Sequence, residues 1–310
     1  MSQILLSLCL VIGVLAANAQ TRTTRHKLYS SPDSERRAER SNVIRATSQL
    51  VLIPVTVYDS LGAPSRGLPK ERFRIFEDGV EQSIQIVTQD DAPVSYGMVM
   101  DASKSMLAKL PLARQAFSGF LETSIPGDEY QLVQFNDFPE VICNLTENQG
   151  VLQNALNSVA ARGWTAMFDG LRMSAQQMRN AKNVRKALII ISDGEDNFSR
   201  YNETELKSYL QEAGVVVFSI GVSTAFGSGF ENRSLRRISK ETGGWFYSGR
   251  LETLGETVRA IGEAIRNQYI VAYRPSSVGT EGKFRKIRVQ VTTEQNDKLS
   301  ATWRGGYYSQ

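Results

Sequence analysis

The stretch Tyr96-Gly97-Met98-Val99-Met100-Asp101-Ala102-Ser103-Lys104-Ser105 decides how this chain is read. An apolar run ends in a carboxylate, a short polar turn follows, and from about residue 110 apolar residues recur at helical spacing. Strand, polar turn and helix in that order is how open α/β sheets build their sites, at the carboxyl ends of the strands. Asp101, Ser103 and Ser105 place one carboxylate and two hydroxyls at alternate positions. Hard oxygen donors of this kind suit Mg²⁺, Mn²⁺ or Ca²⁺ and suit soft metals poorly. A second reading of the string is a capped helix start, because Ser and Asp oxygens accept the free N–H groups of a first helical turn.

Downstream, strands and helices alternate. Strands are expected at 130–135, 141–145, 187–191, 215–220 and 245–247, and helices at 110–122, 152–159, 167–178, 203–212, 235–241 and 254–267. Ala187-Leu188-Ile189-Ile190-Ile191 is apolar throughout, as a parallel strand buried on both faces must be. This alternation predicts an α/β fold, a doubly wound and mostly parallel sheet, over residues 93–267.

On either side of that unit the pattern is β. Val51, Ile53, Val55 and Val57 alternate with Leu52, Pro54, Thr56 and Tyr58, and Pro54 places this strand at a sheet edge. Residues 73–76, the turn Asp78-Gly79 and residues 84–87 read as a β-hairpin. Beyond the α/β unit, residues 269–273 are apolar and aromatic. Ile287, Val289 and Val291 alternate with polar residues, and Leu299, Ala301 and Trp303 do so again. Neither flank has enough strands to stand alone. Residues 49–92 and 268–310 are therefore expected to be two parts of one smaller, discontinuous β-sandwich-like domain, with the α/β domain inserted into it.

The N-terminal segment reads differently. Residues 1–19 carry no charged side chain, and Ala17-Asn18-Ala19 has the small-x-small pattern of a cleavage site. A secretory signal peptide is expected there. A retained membrane anchor is the alternative, although the apolar run is shorter than the roughly 20 residues of a spanning helix. Residues 20–48, rich in Arg, Ser and Thr and without periodicity, are expected to be a disordered basic tail. The expected location is secreted or periplasmic, in the cell envelope, with no transmembrane helix in the mature chain. Much of the formal net charge of +4 sits in the tail, so no nucleic-acid footprint is expected in the folded part. With Cys9 in the signal, Cys143 is the only mature cysteine, and the single histidine, His26, lies in the tail. That inventory excludes an intramolecular disulfide, a Cys-rich zinc site and a Ser-His-Asp or Cys-His centre in the folded region.

Two further strand ends supply oxygen donors: Gly163-Trp164-Thr165-Ala166-Met167-Phe168-Asp169 and Ser192-Asp193-Gly194-Glu195-Asp196. Together with residues 101–105 they resemble the von Willebrand factor A family over roughly residues 94–267. The D-x-S-x-S turn, the Thr of a G-x-T-x-x-x-D loop and the Asp of a strand-D-G turn are that family's metal-ion-dependent adhesion site, in the family's order. The resemblance implies that Ser103, Ser105 and Thr165 bind the cation through hydroxyls, with Asp101 and Asp193 close by, largely through waters. A site with few direct carboxylates leaves the ion underneutralised, so an acidic group of a partner completes it. Mg²⁺ keeps several waters, one of which such a group can replace.

Asp169 is expected to orient Thr165 or a water, or else to be a charge on the helix surface. Lys104 stands where the family usually has Gly and adds positive charge beside the ion. Trp164 stands where a small residue is common. It reads either as an exposed partner contact, since Trp is enriched in binding hot spots, or as core. The runs at 73–79 and 304–308 resemble a bacterial group of secreted proteins carrying related domains.

The expected function is non-enzymatic: divalent-cation-dependent, adhesion-type binding of a protein or other acidic ligand. Two rivals stand beside it. One is a metal-assisted hydrolase using the same ion as Lewis acid, with Glu195 as base. The other is a metal-free scaffold whose oxygen residues only cap helices.

Overall fold

The computed structural model describes residues 50–59, 63–222, 233–277, 280–294 and 299–309. The expected signal peptide and basic tail lie outside the described residues, as do Cys9 and His26. Strands β1 (Val51–Tyr58), β2 (Phe73–Glu77), β3 (Val80–Gln82) and β4 (Ile84–Thr88) come first. The α/β unit follows, with β5 (Val94–Asp101), β6 (Glu129–Phe135), β7 (Pro139–Thr146), β8 (Arg185–Ser192), β9 (Val216–Val222) and β10 (Phe246–Gly249). Its helices are α1 (Leu110–Leu121), α2 (Gln149–Ser158), α3 (Met167–Gln177), α4 (Glu203–Ala213), α5 (Arg233–Thr242) and α6 (Leu254–Arg266). Strands β11 (Tyr269–Tyr273), β12 (Phe284–Val291), β13 (Ser300–Trp303) and β14 (Gly306–Tyr308) close the chain.

The central sheet runs β10-β9-β8-β5-β6-β7. All neighbours are parallel except β6 and β7, which are antiparallel. β5 and β9 are buried along their whole length, and β8 nearly so, because helices cover both faces. Apolar residues of α1, α2 and α6 pack on one face, against Tyr96, Met98 and Met100. Those of α3, α4 and α5 pack on the other, against Val99, Leu188 and Ile190. Gly97 sets the spacing on one side of β5. A Cβ there would stand 2.4 Å from Leu188 Cδ2 and 2.7 Å from Ser174 Oγ, so α3 sits closer than any larger residue permits.

Chain order then fixes where a site can form. From β5 the chain moves outward through β6 and β7, then returns to β8 on the other side of β5. The carboxyl ends of β5 and β8 therefore flank the point where strand order reverses, the place where open α/β sheets have a crevice.

The flanking strands build two four-stranded sheets, β13-β1-β11-β4 and β14-β12-β2-β3. Each sheet takes strands from both ends of the chain. Ile53, Val55, Phe73, Ile75, Tyr269, Val271, Ile287 and Val289 share one buried cluster between them. The fold is thus α/β, with a doubly wound domain inserted into a smaller sandwich-like β structure. Buried Arg185 ties the two together at the base. Its guanidinium donates to the carbonyls of Asp90 (2.6 Å), Arg266 (3.4 Å) and Gln268 (3.2 Å), on the segments that cross between them.

Two local expectations need correction. β1 is not an edge strand, since it pairs with β11 on one side and β13 on the other. Pro54 is tolerated because pairing with β13 begins only at Val55, so the missing N–H falls where one side of β1 has no strand neighbour. The expected hairpin is also shorter. β2 pairs with β3 across Asp78-Gly79, both at positive φ (48° and 88°), as a tight two-residue turn of the primed kind requires. β4 then leaves for the other sheet and pairs with β11.

Candidate metal centre

The segments predicted to supply oxygen donors meet at the switch point. Asp101 is the last residue of β5 and is fully buried. Its Oδ1 accepts from Ser103 N at 2.8 Å and its Oδ2 from Ser192 Oγ at 2.6 Å. Burial pushes the Asp101 carboxyl up to about 6, while the hydrogen bonds from Ser103 and Ser192 pull the other way. A carboxylate in such dry surroundings gains strongly from a nearby cation.

Past Asp101 the chain makes a 3-10 turn, Lys104–Met106. This turn brings the two serine hydroxyls within 3.0 Å of each other. Ser105 Oγ donates to Asp193 Oδ1 at 2.8 Å, across from the end of β8. Ser103 is buried, Ser105 is exposed, and the pair opens toward solvent. The Lys109 ammonium sits on Asp193 Oδ2. The Asp193 side chain is 2% exposed and that of Lys109 12%.

Thr165 lies in the loop between α2 and α3, not at a strand end as expected, and backbone bonds hold that loop beside the serine turn. Arg162 N donates to Ala102 O (2.8 Å) and Lys104 N to Gly163 O (3.1 Å). Thr165 is buried, and its N–H donates to Asn197 Oδ1 at 3.0 Å while its carbonyl accepts from Asn197 N at 3.0 Å. The loop after β8 therefore clamps the residue in place.

These residues fit a hard divalent ion. Among the described residues no three His, Cys, Asp or Glu side chains gather as they would around a carboxylate-rich or soft-metal centre. The donors are instead hydroxyls, with one carboxylate behind each strand end. Ser105 spends its proton on Asp193 and accepts from Ser103 Oγ, which leaves one lone pair of its oxygen to face a cation. The Lys109 ammonium already supplies positive charge at this spot, as a stand-in for the ion. Bound there, a divalent cation would supply a Lewis-acidic centre for an anionic group.

Asp169 is not the helix surface charge that one reading made it. It is buried, and its carboxylate accepts from Arg200 N (3.1 Å) and Tyr201 N (3.3 Å), pinning the loop that leads to α4. It supports the Asn197 clamp from behind rather than touching Thr165. Trp164 is exposed, at 62%, so it is not part of the core. Its ring lies 6.5 Å from Phe198 with 8° between the planes, and Phe138 meets Phe198 at 6.5 Å and 82°. Phe138 and Phe198 are also exposed, so an aromatic rim borders the site. Lys104 is exposed in the serine turn.

Sequence reasoning missed Lys109, Asn197, Phe138 and Phe198. Lys109 carried a usable signal, since it lies one turn beyond Ser105 at the start of a helix. The other three had none, because only the fold brings their loops together.

The profile of the von Willebrand factor type A domain matches residues 97–260. The chain belongs to that family, whose members commonly mediate adhesion. No curated protein matches the chain. Among solved structures, a von Willebrand factor type A protein from Catenulispora acidiphila is 12% identical, covers 86% of this chain and 76% of its own, and superposes with a TM-score of 0.51. Proximal thread matrix protein 1 from the mussel byssus, with a zinc-occupied adhesion motif, is 21% identical with a TM-score of 0.50. That match covers 61% of this chain and only 49% of the mussel protein. An aerotolerance-related membrane protein from Bacteroides fragilis is 19% identical over 56% of this chain and 98% of its own, with a TM-score of 0.47. At these identities the likeness is one of fold.

Proposed function

We propose that this protein binds a divalent cation at Ser103, Ser105 and Thr165, with Asp101 and Asp193 behind them, and through it captures an acidic group of a protein partner. The observation that carries the reading is Ser105. Its hydroxyl bridges Ser103 Oγ and Asp193 Oδ1 at 3.0 and 2.8 Å, at the opening of the crevice. Mg²⁺ or Mn²⁺ suits such a donor set, with waters filling the remaining positions. The exposed rings of Trp164, Phe138 and Phe198 beside Thr165 supply what a partner contact needs beyond a single charge.

The role is binding rather than catalysis, because the described residues offer no histidine base and the serines serve as ligands. Glu195, the remaining candidate base, accepts a bond from Arg233 N (3.1 Å). The uncharged N-terminal stretch supports a secreted or envelope location, and among the described residues no helix is long and apolar enough to cross a membrane.

Calorimetric titration with MnCl₂ and MgCl₂ tests the site. The unaltered chain should bind one equivalent. Asp101→Ala and Thr165→Ala should lose that binding while keeping their circular dichroism spectra. Undiminished binding in both variants would refute the assignment.

A further inference from the structure

Lys109 has no part in the ligand set, yet its ammonium sits on one member of it, Asp193. It donates to Asp193 Oδ2 while Ser105 donates to Oδ1, so both oxygens of that carboxylate are taken. Both side chains are largely removed from water. A charge so placed requires a partner, and each is the other's. We propose that Lys109 is a built-in competitor for the cation: it holds Asp193 in the ion-free protein, and a divalent ion enters by displacing it.

The inference rests on the cation reading of the site and adds how the site is regulated. An ion gathered by Ser103 and Ser105 in front of Asp193 would lie close to the ammonium. Two positive charges at that separation, away from bulk water, repel strongly. The lysine must therefore leave Asp193 as the ion arrives. The local structure allows this without moving the helix. The Lys109 backbone is fixed, since its N–H donates to Met106 O (2.8 Å) and its carbonyl accepts from Ala113 N (3.1 Å). Its four-carbon stem is flexible and tolerates a strongly hydrated head group in solvent.

Lys104 is different. It is exposed, and among the described residues its side chain makes no ion pair. The competing lysine is thus the one a turn further on, not the one inside the serine motif. Two consequences follow for this site. The ion is held more weakly than the donor set alone would hold it. The expelled ammonium then lies at the mouth, where it faces an incoming carboxylate, so ion entry and partner capture favour each other.

Calorimetric titration of the full chain with MnCl₂ alone tests this, comparing the unaltered protein with Lys109→Met and Ser105→Ala. Lys109→Met should bind Mn²⁺ about tenfold more tightly, the effect of removing one close like charge partly screened by solvent. Equal affinities, with binding lost in Ser105→Ala, would overturn the competition and leave the site standing. No binding by either the unaltered chain or Lys109→Met would overturn the cation reading itself. A second measurement needs no variant. Acetylation of lysines by an N-hydroxysuccinimide ester, read by mass spectrometry, should label Lys109 severalfold faster with Mn²⁺ than with chelator. The surface lysines Lys182 and Lys207 should not change. An unchanged Lys109 rate with Mn²⁺ bound would likewise overturn the proposal.

Discussion

Replacing Gly163 with alanine probes how the Thr165 loop is held. Gly163 has a φ of +71°, and a Cβ there would stand 2.4 Å from Asp137 Oδ2 and 2.6 Å from its Cγ. The left-handed conformation alone costs a residue with a Cβ roughly 1–2 kcal/mol. Asp137 must also move, and it then gives up the 2.7 Å bond it accepts from Trp164 N. A hydrogen bond to a charged group contributes about 1.5–3 kcal/mol, and the exposed setting places this one at the lower end, about 1.5 kcal/mol. The sum is about 2.5–3.5 kcal/mol. At roughly 2–4 °C per kcal/mol for a domain of this size, melting should fall by about 5–14 °C.

A double-mutant cycle separates the two contributions. In an Asp137→Ala background both the clash and the bond are absent, so Gly163→Ala should cost only the conformational part, about 1–2 kcal/mol. Urea denaturation of the two single variants and the double variant measures the difference. An equal penalty in both backgrounds would refute the role given to Asp137. The same variant reads function, since Thr165 lies two residues on in the sequence. Gly163→Ala should weaken Mn²⁺ binding, and unchanged affinity alongside lost stability would mean that the loop does not position Thr165.

Arg285→Met should destabilise the chain by about 3 kcal/mol, because it leaves the buried Glu77 carboxylate without its cation, 2.5 Å away. Adding Glu77→Gln should restore most of that loss in urea denaturation, and a single-variant cost below about 1 kcal/mol would show the pair to be dispensable. Trp164→Ala should leave melting and Mn²⁺ affinity unchanged but lower chelator-sensitive capture of partners from an envelope extract by about tenfold. Undiminished capture would remove the aromatic rim from the binding surface.

Elements whose buried face shows directly in composition were legible in the sequence. The run over 187–191 is one, and β8 covers it with a residue or two to spare at each end. Asp101, Ser103, Ser105 and Asp193 could be named because they lie at or just past the ends of β5 and β8 and match the family's motif, whereas Thr165 could be named on the motif alone, since it follows α2 rather than a strand. Partnership between distant loops was not legible. Asp169 looked like a residue serving Thr165, three helical positions inside α3, but its bonds go to Arg200 N and Tyr201 N. Nothing local marks that choice, because it depends on how the loop after β8 folds back over α3. β4 was misassigned for a related reason. Ile84 and the residues after it suit a strand in either β sheet, and only pairing with β11 decides which. Pro54 misled because a proline excludes a neighbour at one position of a strand, not along its whole length.

The charged groups around the site divide by what they bond to. Asp137 accepts from Trp164 N, Asp196 from Phe168 N and Ser199 Oγ, and Asp169 from Arg200 N and Tyr201 N. These carboxylates are committed to backbone and hydroxyl donors within the loops, and that commitment gives the loops their shape. The basic groups of the same loops are not committed in this way. Lys104, Arg162 and Arg200 are exposed, and among the described residues none of them forms an ion pair, although the Arg200 guanidinium lies 5.8 Å from the Phe138 ring. Most of these acids thus shape the loops while Lys104, Arg162 and Arg200 face solvent, where an acidic partner can meet them. Exposed charges of this kind are screened beyond about 8 Å at physiological salt, so they steer an acidic partner more than they hold it. Under the function proposed above, holding it would fall to a cation at Ser103 and Ser105. Raising salt should therefore slow association more than it speeds dissociation, and removing the cation should do the reverse.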